Sequence, residues 1–252
     1  MLKFLLPAAL ALLTACGPTV QTTSGAAYLD QRTATGAPVT VDPEIAEIAA
    51  IEPNLTFPAR IGVARVVGRQ LTVVPPEEAA LFADFAEKNQ AYGVFVPVSP
   101  LVAALIEPRR ERTADGRIVT EARNVLHHVR QAAARQHLDA VLIYELTTRG
   151  DVRTRAYSAS SGFISGAFLA PGNPSTEAEA LVGAILLDVR NGYPYGTATK
   201  RRDLSDLTGP YSSRSRQVAL EEAEILAMLT DLLADVDTML DLLATSQGRR
   251  AS

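Results

Sequence analysis

The sequence is poor in residues on which many secreted and nucleic-acid-binding proteins depend. It has one cysteine, Cys16, and no tryptophan, and aromatic residues make up 6% of its 252 residues. A single thiol excludes a disulfide within the chain, and so few aromatic side chains disfavour a carbohydrate-binding surface. The formal net charge is -4, whereas a nucleic-acid-binding domain is normally basic. We therefore expect no nucleic-acid partner.

Common catalytic motifs are also missing from the sequence. No Gly-x-Ser-x-Gly elbow presents a serine nucleophile, and no glycine-rich loop follows the first predicted strand to hold a phosphate. His127, His128 and His137 lack the i, i+3 or i, i+4 spacing that places metal ligands on one face of a helix. We expect no catalytic residue, no metal and no cofactor. We therefore predict that the protein is not an enzyme.

An apolar segment opens the chain. Lys3 is the one charged residue among residues 1–15, and it precedes an apolar run at residues 4–13. This order is that of a secretory signal peptide, because the run is shorter than the roughly 20 residues that a membrane-spanning helix needs. Residues 1–15 are therefore predicted to be a signal peptide that is removed on export.

The apolar run ends in Leu13-Thr14-Ala15-Cys16, which resembles the lipobox of bacterial lipoproteins. That resemblance implies cleavage before Cys16, acylation of its thiol and new amino group with fatty acids such as palmitate, and a periplasm-facing membrane anchor. Several acyl chains make such anchoring durable. Gly17 follows the cysteine, and by the same resemblance this favours the outer membrane over the inner membrane. An ordinary signal peptide with a chance cysteine is the alternative.

Composition divides the remaining chain into three parts. Residues 16–42 are rich in Gly, Pro, Thr and Ala and have no apolar period, so they are predicted to form a flexible tether after the lipidated cysteine. Residues 43–247 are long enough for a single α/β domain. Its start is indicated by Asp42-Pro43, the pattern of a helix N-cap followed by proline. Residues 248–252 are predicted to be a disordered tail.

The order of strand and helix patterns predicts the fold class. A β-α-β-α-β first half implies a sheet with helical crossovers. The predicted elements are a strand at 60–67, a helix at 75–92, a strand at 94–98, a helix at 121–137 and a strand at 139–146. Pro97 predicts that the second strand lies at an edge or ends there. Two β-rich runs around Asn191-Gly192 indicate an antiparallel hairpin. We therefore predict an α/β fold with a mixed sheet.

The last predicted element is a long helix at residues 215–244. Its apolar side chains recur at spacings of three and four, which places them in one stripe. The stripe either packs on the chain's own sheet or pairs with an envelope protein or a second copy of the chain. Two tyrosines on the hairpin share one face, because they are two residues apart in a strand. The candidate partner-contact residues are Leu226, Leu229, Leu233, Val236, Leu240, Tyr193 and Tyr195.

Four features together resemble a group of periplasmic lipoproteins. They are the lipobox, the strand RIGVARVV, the segment AAARQHLDAVLIYEL and the hairpin LLDVRNGYPYGTA. The group has a fold like that of the curli secretion lipoprotein CsgG, the amino-terminal domain of TolB and the LpoB-type activators of peptidoglycan synthases. The resemblance covers roughly residues 58–245. It implies a protein without a catalytic motif that binds an envelope partner or builds an envelope assembly.

The leading hypothesis is a membrane-anchored periplasmic lipoprotein, without catalytic activity, that binds or scaffolds a partner in the cell envelope. Two alternatives stay open. Ser158, Ser160, Ser161 and Ser165 suggest a hydrolase of envelope polymers or lipids that uses a serine-rich loop. The resemblance to CsgG suggests an oligomeric secretion-channel component, although residues 158–170 lack the alternation over about ten residues that a membrane β-hairpin needs.

Overall fold

The computed structural model describes residues 17–30, 36, 40–106, 110–112, 118–120, 124–149, 179–203 and 214–251. The strands in chain order are β1 (Thr19–Val20), β2 (Ala59–Val67), β3 (Gln70–Thr72), β4 (Gly93–Pro97), β5 (Arg110–Arg112), β6 (Ile118–Thr120), β7 (Ala140–Arg149), β8 (Glu179–Asp188) and β9 (Pro194–Asp203). The helices are α1 (Gly25–Leu29), α2 (Pro43–Ala49), α3 (Pro76–Lys88), α4 (Pro100–Ala104), α5 (Val125–Arg135) and α6 (Arg214–Ala251), with a 3-10 turn at Gln90–Tyr92.

A seven-stranded mixed sheet forms the centre of the fold, and β2 lies in the middle of its parallel part. β2 pairs in parallel with β4 on one side and with β7 on the other, so that Ile61 lies opposite both Phe95 and Ala140. Helix α3 lies between β2 and β4 in the chain, and α5 precedes β7. The predicted β-α-β-α-β order and the α/β fold class are therefore confirmed. Among the described strands, β4 pairs only with β2, and it ends at Pro97, as predicted from the proline.

Antiparallel strands complete the sheet on its other side. β7 pairs with β8, β8 with β9, and β9 with the two residues of β1, giving the order β1-β9-β8-β7-β2 with β3 and β4 beyond β2. Asn191 and Gly192 lie in the turn between β8 and β9. Gly192 has a φ of +80°, which glycine adopts without steric cost. The predicted hairpin is confirmed. A second small hairpin joins β5 and β6.

The sheet separates two hydrophobic cores. Successive side chains of a strand point to opposite faces, and β7 accordingly buries Leu142 and Tyr144 in one core and Val141 and Ile143 in the other. The first core is covered by α3 and α6, and the second by α5. Burial of each such apolar side chain stabilises the fold by roughly 1.5–3 kcal/mol, and it explains why the sequence of β7 is apolar on both sides.

Helix α6 lies across the antiparallel half of the sheet and runs opposite to β9. Arg202 pairs with Asp231 and Lys200 pairs with Asp235, each at 2.8 Å, so rising helix numbers face falling strand numbers. At ~1.5 Å per residue the helix is ~57 Å long, whereas β9 at ~3.3 Å per residue spans ~33 Å. Helix α6 therefore extends past the Asp203 end of β9. No helix among the described residues has the length and hydropathy that crossing a bilayer requires.

Two predicted segments differ from the structure. Within the predicted tether at residues 16–42, residues 17–30 belong to the fold, because β1 pairs with β9 and α1 contacts α2. The prediction of a disordered tail at residues 248–252 is wrong for residues 248–251, because α6 continues to Ala251. Short segments held by distant parts of the chain have no apolar period of their own, which is why composition alone did not reveal them. Cys16 lies outside the described residues.

Candidate functional site

The hairpin of β8 and β9 carries a buried carboxylate at its base. Asp188 is 0% exposed. Its Oδ1 accepts hydrogen bonds from the backbone N–H groups of Arg190 (2.8 Å) and Asn191 (3.1 Å), and its Oδ2 accepts one from the Tyr195 hydroxyl at 2.8 Å. A buried carboxylate needs such donors, because burial removes its hydration. Asp188 is thus committed to holding the turn and the start of β9.

Tyr195 connects this turn to the segment that leads into β2. Its hydroxyl oxygen accepts hydrogen bonds from the backbone N–H groups of Asn54 (3.0 Å) and Leu55 (2.6 Å) while the hydroxyl donates to Asp188. Burial, and then the hydrogen bond to Asp188, raises the pKa of Tyr195 above its usual value of 10.0. The side chain therefore stays neutral at physiological pH and acts as a three-way structural connector.

The same hairpin holds residues 17–30, which we call the N-terminal strap. The Tyr193 hydroxyl donates to the carbonyl oxygen of Thr23 at 2.7 Å, and the N–H of Gln21 donates to the carbonyl oxygen of Tyr195 at 2.8 Å. Val20 packs partly buried against the core under α6. The strap is therefore fastened by strand pairing, by a tyrosine hydroxyl and by apolar packing.

Gly196 allows the strap and α6 to approach β9 at one place. A Cβ at this position would meet the carbonyl oxygen of Thr19 and would lie 2.6 Å from the Sδ of Met239. Both contacts are closer than side chains allow, so the absence of a side chain is required for the packing. Gly196 is thus the point at which strand β1, strand β9 and helix α6 meet.

Helix α5 reaches the hairpin from the opposite face of the sheet. The guanidinium of Arg130 donates from Nε to the carbonyl oxygen of Asp188 at 3.0 Å and from Nη2 to that of Val189 at 3.1 Å. Burial lowers the pKa of Arg130, although the neighbouring Asp188 opposes this change. The β8–β9 turn is thereby fixed from three directions, by its own residues, by the strap and by α5.

A second buried polar cluster lies under α3, on the face that α6 also covers. Glu78 is 4% exposed and Tyr144 is 0% exposed. Nε of Arg65 donates to Glu78 Oε1 at 3.2 Å and Oε2 at 3.0 Å, and the Tyr144 hydroxyl donates to Oε2 at 2.6 Å. Burial, followed by the hydrogen bond to Glu78, raises the pKa of Tyr144. The cluster attaches the first turn of α3 to strands β2 and β7.

The buried role of Glu78 was not predicted, although the sequence carried a signal for it. An acid in the first turn of a helix is favoured by the helix dipole wherever its side chain points, so the position of Glu78 in that turn does not reveal its burial. Glu78 is spaced four and seven residues from Phe82 and Phe85, which are both buried. That spacing places all three on one helix face, so an acid on the inner face predicts a buried partner such as Arg65.

The candidate partner-contact residues lie inside the molecule, and the sequence-based prediction for them is corrected. Leu229, Leu233, Val236, Leu240, Tyr193 and Tyr195 are all at most 5% exposed. The four leucine and valine side chains pack against the sheet, and the two tyrosines pack together with ring centroids 5.1 Å apart. Leu226 is half-buried. Packing on the chain's own sheet is therefore the explanation of the α6 stripe.

The histidines do not come together. His127 is exposed and His128 is half-buried on α5, whereas His137 follows that helix with a φ of 58°. Across the part of the chain that the structure describes, no group of three or more His, Cys, Asp or Glu side chains is placed to hold a metal ion. The serines at 158, 160, 161 and 165 lie outside the described residues.

Exposed apolar side chains mark surfaces that were not predicted from the sequence. Leu101 (81% exposed) and Leu105 (65% exposed) lie four residues apart, on and just after α4, and Leu242 on α6 is 44% exposed. A small pocket between the strap and α6 is lined by Gln21, Thr22, Pro53, Leu55, Tyr195, Leu243, Ser246 and Gln247. The pocket admits little more than a water molecule, far below the roughly 300–1,000 Å³ of a typical ligand site.

No protein-family model and no curated protein matches the chain. Among solved structures, the chain is similar to the PelC dodecamer from Paraburkholderia phytofirmans, with 14% identity over 74% of this chain and 92% of that one at a TM-score of 0.32. It is also similar to the hypothetical protein CT253 from Chlamydia trachomatis, with 13% identity over 71% of this chain and 94% of that one at a TM-score of 0.30. Likenesses this slight assign neither a family nor a function.

Proposed function

We propose that the protein is a periplasmic lipoprotein, anchored through lipid on Cys16, that binds or scaffolds a cell-envelope partner without catalysing a reaction. The observation that carries this proposal is the order of a charged residue, an apolar run and Leu13-Thr14-Ala15-Cys16 at the start of the sequence. The resemblance to the group that includes CsgG, TolB and the LpoB-type activators supports the envelope role.

The fold is compatible with an anchor at this position. Gly17 is exposed and lies two residues before the start of β1, so the chain at Cys16 would lie at the surface of the domain, where acyl chains can reach a bilayer. The strap that begins at Gly17 is fastened to the hairpin through Tyr193 and Tyr195. A force on the lipid would therefore be transmitted to the sheet through this hairpin.

The buried polar groups of the hairpin and of α3 support a structural role for these residues. Asp188 and Glu78 have their oxygens committed to the partners described above, so they hold elements together and do not face a cleft. Among the described residues, the exposed leucines at 101 and 105 offer one surface for a partner, and the part of α6 beyond the end of β9 offers another.

The anchor is tested by fractionating cells that express the wild-type chain or Cys16→Ser. Wild-type protein should float with envelope membranes, and globomycin, which inhibits the lipoprotein signal peptidase, should make the uncut precursor accumulate. Cys16→Ser should leave the membrane fraction or stay as precursor. A Cys16→Ser protein as membrane-bound as the wild type, with unchanged processing, would refute the lipid anchor.

The binding role is tested by cross-linking in intact cells, followed by light scattering on the purified protein. The variant Leu101→Glu/Leu105→Glu changes two exposed side chains, so it should fold as the wild type does and lose cross-linked products. The matched control is Glu87→Gln on α3, an exposed residue outside these surfaces. A strict monomer with no cross-linked product in either form would contradict the binding role.

A further inference from the structure

The strap shortens the connection between the proposed lipid and the domain. Strand β1 begins at Thr19, which lies opposite Thr197 of β9, so that Cys16 is three residues before a residue of the sheet. Three residues span at most about 10 Å, because an extended chain covers ~3.3–3.6 Å per residue. A free tether of residues 16–42 would allow a far larger distance. A docked strap therefore keeps the β1 edge of the sheet close to whatever holds the lipid.

One flank of α6 lies beside this edge. Asp235 contacts Lys200 of β9, Met239 lies against Gly196, and Ser246 lines the pocket that Gln21 and Thr22 also line. These three helix residues, at spacings of four and seven, share one flank of the helix. That flank therefore faces strand β1 and the strap.

Leu242 belongs to the same flank and is exposed. It lies three residues after Met239 and four before Ser246, so at ~100° per residue it is turned ~60° from Met239 and ~40° from Ser246, on the strap side and away from the core. Its exposure is 44%, although its neighbours on the core side, Leu240 and Leu243, are buried. An exposed leucine thus lies on the side of the molecule to which the anchor is attached.

We infer that the β1 edge of the sheet, with Leu242 on the adjacent flank of α6, rests against the phospholipid surface. This inference rests on the proposed lipidation of Cys16. The headgroup layer is about 5–8 Å thick on each side of the hydrocarbon core, so a connection of about 10 Å holds the edge at the depth where a leucine meets the acyl boundary. The opposite edge of the sheet, at β4, lies five strand spacings away, or ~24 Å.

The chain has no tryptophan, so a single introduced tryptophan reports on one position. Leu242→Trp and the matched control Leu101→Trp each replace an exposed leucine, and Leu101 is on the helix that follows the far edge strand. The lipidated proteins, checked by intact mass, are reconstituted into vesicles of phosphatidylethanolamine and phosphatidylglycerol that include lipids brominated high in the acyl chains. The indole fluorescence of Leu242→Trp should be largely lost, and that of Leu101→Trp should be retained.

A further variant separates a docked strap from a free tether. Insertion of ten Gly/Ser residues between Pro18 and Thr19 leaves the fold unchanged and adds a flexible span of roughly 17 Å. We expect this insertion to restore the fluorescence of Leu242→Trp while flotation with the vesicles persists. Equal quenching of the two tryptophan variants, or no effect of the insertion on quenching, would overturn the inference. Neither result would contradict the lipid anchor. Absence of lipid or of flotation would instead refute the proposed anchor, and this inference with it.

A second copy of the chain is the competing occupant of this flank. In the Cys16→Ser background without vesicles, the Leu242→Trp variant should emit as an exposed tryptophan does at every protein concentration. A blue shift of its emission that grows with protein concentration would show that another copy covers the flank, and it would overturn the membrane assignment.

Discussion

Asp188 and Glu78 are two buried carboxylates that meet a tyrosine hydroxyl in nearly the same way, at 2.8 Å and 2.6 Å. Their other partners differ. Asp188 is served by backbone N–H groups and is 0% exposed, whereas Glu78 is served by the guanidinium of Arg65, whose side chain is 20% exposed. The Asp188 carboxylate accepts hydrogen bonds from neutral donors, and the Arg130 guanidinium binds the main-chain carbonyl of the same residue. The Glu78 carboxylate pairs directly with a cation from another strand.

A buried carboxylate bonded to a tyrosine hydroxyl has a different structural role in each of the two clusters. The Asp188 cluster determines the path of the main chain, because its tyrosine also binds the segment before β2 and its turn holds the strap. The Glu78 cluster attaches one helix to the sheet. Loss of Asp188 should therefore disturb several elements, whereas loss of Glu78 should disturb one.

The largest expected effect is that of Asp188→Ala. Three donors lose their buried acceptor, and at about 1–3 kcal/mol for each unsatisfied group, with the turn partly able to reach water, we expect a loss of about 3–4 kcal/mol of unfolding free energy. Denaturant titration of the chain with Cys16→Ser measures it. Asp188→Asn keeps an oxygen for the two backbone N–H groups and should cost less than half as much; equal losses would refute the role given to those bonds.

The next effect is that of Glu78→Gln, which keeps the shape and removes the charge. Arg65 loses its counterion, and because a hydrogen bond to a charged group is worth about 1.5–3 kcal/mol, a loss of about 2 kcal/mol is expected in the same titration. Adding Arg65→Met should recover part of the loss, because no cation is then left without its partner. A double variant that loses more unfolding free energy than the two single variants lose together would contradict the pairing.

Replacing either tyrosine by phenylalanine should have a smaller effect on the unfolding free energy, and the effect should differ between the two tyrosines. Tyr195→Phe removes the acceptor of Leu55 and Asn54 as well as the donor to Asp188 and should cost about 2 kcal/mol. Tyr144→Phe removes one donor to Glu78, which keeps Arg65, and should cost about 1 kcal/mol. Proteolysis should cut the segment at Asn54 and Leu55 sooner in Tyr195→Phe alone, because the Tyr195 hydroxyl holds both backbone N–H groups of that segment. Equal losses and equal cleavage would show that the two clusters do not differ as described.

Stability should also depend on alkaline pH. The folded protein raises the pKa of Tyr144 and Tyr195 above the unfolded value, chiefly through burial. Above about pH 10 the unfolded chain therefore binds fewer protons than the folded one, and stability falls as pH rises, while below that pH the contribution is complete. The unfolding free energy, measured from about pH 8 to about pH 12, should fall less steeply in Tyr144→Phe/Tyr195→Phe. An unchanged slope would contradict this assignment.

Periodicity predicted the parts of the fold whose burial is regular. The β-α-β-α-β order, the edge position of β4 and the hairpin at Asn191-Gly192 follow from local patterns, because each pattern reflects which face of an element is covered. The apolar stripe of α6 was detected too, but sequence could not decide what covers it. That choice depends on β8 and β9, which lie elsewhere in the chain and supply the surface on which the stripe packs.

The strap and the two carboxylate clusters could not be predicted in the same way. Thr19 and Val20 form a strand only because the edge of β9 offers backbone partners, and nothing in their own composition requires it. Asp188 and Tyr195 lie seven residues apart, whereas Tyr195 and Leu55 are 140 apart. Contacts over that separation are set by the assembled sheet.

Mass spectrometry of the amino-terminal peptide from membrane-purified protein is the sharpest test of the lipid on Cys16. We expect a peptide that begins at Cys16 and carries a diacylglyceryl group on sulfur and a fatty acyl group on nitrogen. A peptide with an unmodified Cys16 thiol, or one that still begins at Met1 in untreated cells, would contradict it.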